Sequence, residues 1–294
     1  IYIEGSPVER NLFSCIFNKR SYDDYIGNYN YDLKSLSFVT PIELEALSFS
    51  ESGSLILADL SNVNTENVID MFRMFQGCYS LTSLDLSSLD TRNVTNMGTM
   101  FGVCSALTNL DLSGFDTRNV TNMSEMFFYC TSLASLGLSS FDTRNVTDMK
   151  RMFEECHSLT SLDLSSFYTR DVANMNRMFL NCKSLTSLDL SSFDTRNVTD
   201  MEFMFGGCSS LTSLDLSSFD ARSVTNMYCM FSGCSALASL DLSSFDTKNV
   251  TDMNSMFSYC QSLKSMDLSL FCLLYKSDAA DDLPRVDLGG SSYL

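Results

Sequence analysis

Apolar positions along this chain fall into one recurring pattern. Between Asn67 and Phe271 the same phrase is written eight times, from Asn67, Asn93, Asn119, Asn145, Asp171, Asn197, Ser223 and Asn249, at a constant 26-residue step. In the copy that begins at Asn119, residues Met123, Met126, Phe127, Cys130 and Leu133 follow the i, i+3, i+4, i+7, i+10 spacing of one helical face. Asn122 stands where an N-cap is expected, and Glu125 three residues later completes a capping-box-like pair. The first half of each copy therefore predicts a short helix of about two to three turns. The second half, with Leu133, Leu136, Leu138 and Phe141, alternates leucines against polar neighbours, which is strand periodicity. A polar corner, F-D-T-R-N-V-T, leads to the next copy, and only its valine (Val120, Val146, Val172) is expected to turn inward.

A fixed period of this size means stacked supersecondary units. The fold class predicted is an α/β repeat solenoid, leucine-rich-repeat-like, with a short parallel strand and a short helix in each 26-residue coil. Strands stacked at roughly 4.8 Å make eight coils about 40 Å long. The solenoid is expected over residues 54–271, as a half coil at 54–66 and then eight repeats from residue 67. The half coil is read from Leu55, Asp59, Leu60 and Thr65, each 26 residues before Leu81, Asp85, Leu86 and Thr91. Residues 1–53 fit no repeat and are expected to form an N-terminal cap or a partial domain. After Phe271 the pattern stops. Cys272 to Asp282 resembles a translated sequencing adapter, so residues 272–294 are expected to be a non-native, loosely packed or disordered tail.

The core L-x-x-L-x-L, present as Leu107, Leu110 and Leu112, resembles leucine-rich repeats. The fuller phrase, N-V-T-x-M-x-x-M-F-x-x-C-x-x-L-T-x-L-D-L-S-x-F-D-T, is similar to the BspA-like family of bacterial surface leucine-rich repeats over roughly Ser54 to Phe271. That resemblance implies an extracellular or cell-surface bacterial adhesin. One departure is that Leu89, Phe115 and Phe141 replace the usual asparagine after the last leucine. An apolar spine rather than an asparagine ladder is then expected at the corner.

Charge narrows the partners. Thirty-six acidic against 19 basic side chains give a formal charge of −17, which repels phosphate backbones and anionic lipid heads. A protein is the expected partner, with no nucleic acid and no membrane insertion, since no apolar run reaches bilayer-spanning length. Eight of the 11 cysteines (Cys78, Cys104, Cys130, Cys156, Cys182, Cys208, Cys234 and Cys260) share one repeat slot. They read as small buried apolar groups, and the absence of paired C-x-x-C spacing argues against zinc. Cys15, Cys229 and Cys272 lie outside that column.

Catalysis needs unlike groups drawn together, whereas a repeat array offers columns of like groups. The single histidine, His157, occupies a variable slot and reads as a surface residue. No enzyme, cofactor or metal is therefore expected. Asp85, Asp111, Asp163, Asp189, Asp215, Asp241 and Asp267 alternate with the inward leucines and should form an exposed acidic row, interrupted at Gly137. Stacked like charges repel, so solvent and the adjacent serines, or alternatively a weakly held calcium ion or a basic ligand, must screen them. Corner aspartates such as Asp116 and Asp142 are followed two residues later by Arg118 and Arg144, rows that can neutralise each other. Five N-V-T triplets (from Asn93, Asn119, Asn145, Asn197 and Asn249) match the glycosylation acceptor pattern, but their regularity points to corner hydrogen bonding. A threonine column (Thr117, Thr143, Thr169, Thr195) would suit a flat ice-binding surface, which the interleaved charges argue against.

Variation among copies concentrates between the methionines and just before the cysteine. Phe128, Tyr129, Phe203, Tyr228 and Tyr259 fall in those slots as expected exposed contact residues. With the Asp row they are the candidate ligand-binding residues of a protein-binding surface module. The alternative is a passive spacer in a larger surface protein.

Overall fold

A computed structural model describes residues 49–243 and 245–264 in full and the backbone of residues 2–5, 33–37 and 42–43. The expectations for a tail at 272–294, and for most of a cap at 1–53, lie outside the described residues.

The chain winds into stacked coils whose inward side chains form one continuous core. In the coil from Asn119, Val120, Met123, Met126, Phe127, Cys130 and Leu133 are fully buried, with Leu138 and Phe141 nearly so. The phenylalanine after the second methionine builds a column through the whole array: Phe49, Phe75, Phe101, Phe127, Phe153, Phe179, Phe205, Phe231 and Phe257, each stacked on the next at 5.2–5.8 Å. Phe49 and Glu51 already make the inter-coil bonds of the repeat, donating to the Met74 and Gln76 carbonyls. Coil geometry thus holds from residue 49.

Strands are fewer than the alternation predicts. β1 (Tyr2–Gly5) pairs antiparallel with β2 (Leu33–Ser37), which runs parallel to β4 (Leu57–Asp59). β3 (Ile42–Glu43) pairs with β5 (Val63–Asn64), and β6 (Asn109–Asp111) with β7 (Ser135–Gly137), both parallel. The β6–β7 register, Leu110 opposite Leu136, is the 26-residue repeat step. In later coils the ladder between equivalent segments loosens: Ala134 N donates to Thr108 O at 2.9 Å, Ala238 N to Thr212 O at 3.3 Å. The corner phenylalanines on that side, Phe141–Phe167 and Phe193–Phe219, stand 6.4 Å apart, wider than the other column.

The expected helix is not formed; no helix occurs among the described residues. Instead, alternate amides go to different places. Met126, Phe128 and Cys130 donate to Met123, Glu125 and Phe127, three residues back. Met123, Glu125, Phe127 and Tyr129 donate to Asp148, Lys150, Met152 and Glu154 of the next coil. Such an arc of three-residue turns presents the same i, i+3, i+4, i+7 face as a helix while spending half its amides on stacking. Its handedness is reset by two left-handed residues per coil, one column at Arg73, Thr99, Glu125, Arg151, Arg177, Phe203, Cys229 and Ser255, the other at Gly77, Val103, Tyr129, Glu155, Asn181, Gly207, Gly233 and Tyr259. Thirteen of these sixteen are not glycine, although a left-handed non-glycine residue costs on the order of 1 kcal/mol. Asn122 does cap locally, but as an Asx turn: its Oδ1 accepts from the Ser124 amide at 2.9 Å and hydroxyl at 2.7 Å.

The corner carries the predicted apolar spine and a second device. Thr65, Thr91, Thr117, Thr143, Thr169 and Thr195 are buried, not surface residues as the polar corner suggested. Thr117 Oγ1 donates to Asp142 O at 3.0 Å and accepts from Asp142 N at 2.8 Å, so one hydroxyl satisfies both backbone groups of the next coil. This threonine ladder does the work of an asparagine ladder and removes any flat threonine surface. The cysteines are thiol donors as well as packing groups: Cys130 Sγ donates to Phe101 O at 3.1 Å, a carbonyl that also accepts from Cys104 N. Burial pushes their thiols up, to about 12 at Cys104 and Cys208.

Candidate functional site

Three surfaces run the length of the stack: the strand face, the corner and the arc. On the strand face Asp85, Asp111, Asp163, Asp189, Asp215 and Asp241 form an exposed row interrupted at Gly137, and Asp267 lies outside the described residues. Each Oδ1 accepts the amide of the serine two residues on, such as Ser87 to Asp85 at 2.9 Å and Ser165 to Asp163 at 3.0 Å. Those serine bonds hold the Asp215 carboxyl below the usual carboxylate range, while neighbouring Asp189 and Asp241 push it up. The row is a series of Asx turns in a line, and no group of three or more metal-ligating side chains converges among the described residues.

At the corner, Asp90, Asp116, Asp142, Asp194, Asp220 and Asp246 each hold the cation two residues later, as in Arg118 Nη2 to Asp116 Oδ2 at 2.6 Å and Arg196 Nε to Asp194 Oδ1 at 2.8 Å. The N-V-T asparagines donate Nδ2 to a carbonyl of the preceding coil, Asn119 to Arg92 O at 2.7 Å and Asn145 to Arg118 O at 2.6 Å. The nitrogen a glycan would use is therefore a structural donor.

The arc concentrates unlike groups. Arg151 lies over the Phe128 ring at 4.3 Å while Phe128 packs edge-on against Tyr129 at 4.6 Å. The same guanidinium donates Nε to Glu154 at 2.6 Å and Nη1 to Glu125 at 3.3 Å. Glu154 is buried, so this pair is sheltered, unlike the corner pairs. In the same coil as Arg151, Glu155 accepts from Asn181 of the next coil at 2.6 Å and meets His157 Nε2 at 2.6 Å. Two coils on, Phe203 packs edge-on against Tyr228 at 5.3 Å, with Arg177 over Phe203 at 5.4 Å and bonded to Glu202 at 2.8 Å. Many of these side chains, Glu125, Tyr129, Arg151, Glu155, Arg177, Asn181 and Phe203, stand on the left-handed positions.

A family model described as Mycoplasma protein of unknown function, DUF285, matches residues 44–160, 106–212 and 186–272, overlapping windows that together cover most of the chain. The chain belongs to the DUF285 family. No curated protein matches this DUF285 chain. Solved structures that resemble it include bacterial leucine-rich repeat proteins. A T. pallidum leucine-rich repeat protein is 21% identical, with 69% of this chain and 81% of that one covered, at a TM-score of 0.43. A leucine-rich repeat protein of Bacteroides ovatus is 21% identical over 81% of this chain and 76% of that one, at 0.31. A leucine rich cell surface protein of Faecalibacterium prausnitzii is 19% identical over 86% of this chain and 84% of that one, at 0.33. Similarity at these scores carries no function across.

Of the residues singled out in this DUF285 sequence, Phe128 with Tyr129 and Phe203 with Tyr228 come together as pairs, and the aspartates come together as a row. Tyr129 and Tyr259 are exposed at 41% and 70%. Phe128, Phe203 and Tyr228 are only half-buried, a correction to their expected exposure, because the neighbouring arginine or aromatic ring covers one face of each. Sequence reasoning missed Arg151, Arg177, Glu125, Glu154 and Glu202 as site members. They occupy the same variable slots as the aromatics, which was the available signal. No helix of the described residues is long and apolar enough to cross a membrane.

Proposed function

We propose that this protein is a non-enzymatic, protein-binding solenoid of a bacterial cell surface, an adhesin or interaction module whose contacts are made by the arc. The observation that carries this reading is the Phe128–Tyr129–Arg151 cluster, an aromatic pair and a planar cation braced by Glu125 and Glu154. Aromatic and arginine side chains held rigid in this way are what protein interfaces use as anchors. Retention of side chains at strained left-handed positions supports the same reading, since glycine at Gly77, Gly207 and Gly233 shows that the fold accepts a residue without one. The strand-face Asp row is the second candidate surface.

The competing reading is a passive spacer, which the uninterrupted inter-coil ladder would serve equally well. Replacing Tyr129, Phe128, Tyr228 and Phe203 by alanine, and separately the Asp row by asparagine, and measuring binding to an array of host and bacterial surface proteins distinguishes them. A binding module loses its partners by at least tenfold with one set; a spacer has no arc-dependent partner to lose.

A further inference from the structure

One coil has lost several corner anchors at once. In the coil that runs through Phe167, three anchors are replaced together: Tyr168 stands in the Asp column, Asp171 in the Asn column and Ala173 in the Thr column. Arg170 keeps the basic position. The backbone there has not moved out of register. Thr143 Oγ1 still donates to Tyr168 O at 2.9 Å and accepts from Tyr168 N at 2.7 Å, and Ala173 N still donates to Thr147 O at 3.2 Å. An aspartate at position 168 would therefore meet the same surroundings as Asp142 below and Asp194 above. What has changed is chemistry: six other corner cations are each clamped to a carboxylate of their own coil, whereas the Arg170 guanidinium has no hydrogen-bond or ion-pair partner among the described residues. It is exposed, beside a tyrosine that is 40% exposed.

We propose that the Tyr168–Arg170 corner is a recognition site for an aspartate or glutamate side chain of a partner protein. The chain itself shows what this corner geometry holds. An arginine leaving the corner meets a carboxylate two-pronged, through Nε at 3.0 Å and Nη2 at 2.6 Å where Arg118 holds Asp116. Arg170 offers the same fork with its planar donors uncommitted. Tyr168, two residues before it and 40% exposed, adds an accessible aromatic side chain to the same corner, and tyrosine and arginine are the residue types that anchor interfaces. The chain's overall negative charge is screened beyond about 8 Å at physiological salt, so the local cation decides the contact. This site is on the corner, away from the arc cluster, and stands or falls independently of it.

The test uses the full chain with its arginine Nε–H groups followed by nitrogen-15 NMR during titration with a glutamate-rich peptide, against the same peptide with every glutamate changed to glutamine. The Arg170 resonance is expected to shift saturably with the acidic peptide only, while those of Arg92, Arg118, Arg144, Arg196 and Arg222 stay still. In Tyr168→Asp, which restores the in-chain clamp, the Arg170 response should fall at least tenfold with the unfolding midpoint no lower than in the parent. Arg170→Gln should lose peptide binding by a similar factor and serves if the first variant folds poorly. A uniform response of all the corner arginines, no response at Arg170, or undiminished binding by both variants would overturn the proposal.

Discussion

Thr143→Val isolates the threonine ladder from the packing around it. The two side chains have nearly the same shape, and Thr143 is fully buried, so the change removes one hydroxyl and adds one methyl. That hydroxyl donates to Tyr168 O at 2.9 Å and accepts from Tyr168 N at 2.7 Å. Two hydrogen bonds at about 1 kcal/mol net each set the lower bound, and the orphaned amide and carbonyl add roughly a further 1–2 kcal/mol because the corner is only partly open to water. The expected loss is about 2–4 kcal/mol, read as a lower urea midpoint at unchanged slope and as faster hydrogen exchange at the Tyr168 amide. The chain holds its own reciprocal experiment: Ala221 is 1% exposed in the same column, flanked by Thr195 and Thr247. Ala221→Thr, which can bridge Asp246 as its neighbours bridge theirs, is expected to gain about 1–2 kcal/mol. A Thr143→Val protein within about 0.5 kcal/mol of its parent, with Tyr168 exchanging at the same rate, would refute the ladder's structural role.

Three further outcomes follow from the same coils. The buried cysteines have folded-state thiols raised by desolvation, to about 12 at Cys104 and about 11 at Cys260. A raised folded pKa means stability present below the unfolded value near 8.5 and lost above it, by up to about 1.4 kcal/mol per pH unit per thiol. Urea midpoints measured from pH 7.5 to 9.5 should therefore fall less steeply for Cys104→Ala than for the parent, and an aromatic disulfide reagent should label Cys104 only as fast as the protein unfolds. Arg151→Met leaves the buried Glu154 carboxylate without its closest cation and should cost about 2–4 kcal/mol, largely recovered when Glu154→Gln is added; equal stability of single and double variants would show that the pair is not sheltered. Val103, a β-branched residue at φ 62°, should give way to asparagine with a gain of about 1 kcal/mol in thermal or urea midpoint, whereas a loss would mean that its side chain is held by contacts stronger than the strain.

Much of the fold is legible in the periodicity. The 26-residue step placed Met123, Met126, Phe127, Cys130 and Leu133 on one inward face, and all are buried. The pairing of Asp116 with Arg118 and the structural use of Asn119 were likewise readable from adjacency and regularity. The backbone that makes that face was not readable. An i, i+3, i+4, i+7 pattern reports which side chains share a side, and a run of three-residue turns satisfies it as well as an α-helix does. The one local clue lay just before the cysteine, where Gly77, Gly207 and Gly233 permit the left-handed backbone that Tyr129 and Asn181 also adopt. The other left-handed column has no glycine at all, so the sequence carries no mark of it. Burial of Thr117 was hidden in the same way by its polar neighbours, although Ala221 in that column hints that the position faces inward.

What the arc offers a partner follows from how the amides are shared. In a helix every interior amide is satisfied within its own segment, and neighbouring segments meet only through side chains. Here Glu125, Tyr129, Arg151 and Glu155 each send the amide to the next coil, to Lys150, Glu154, Asn176 and Leu180, which fixes the position of one coil's left-handed residues against those of the next. Side chains that sit on consecutive turns of the stack are thereby held at a set spacing by backbone bonds, independent of what those side chains are. Arg151 can reach Glu125 one coil back and Phe128 beside it without any packing specific to that pair. A surface built this way can change residue by residue while its geometry stays the same, since no core side chain depends on the choice. The rigidity that would suit a spacer is the same rigidity that lets half-buried Phe128 and exposed Tyr129 keep a fixed relation, which lowers the entropy lost when a partner is met.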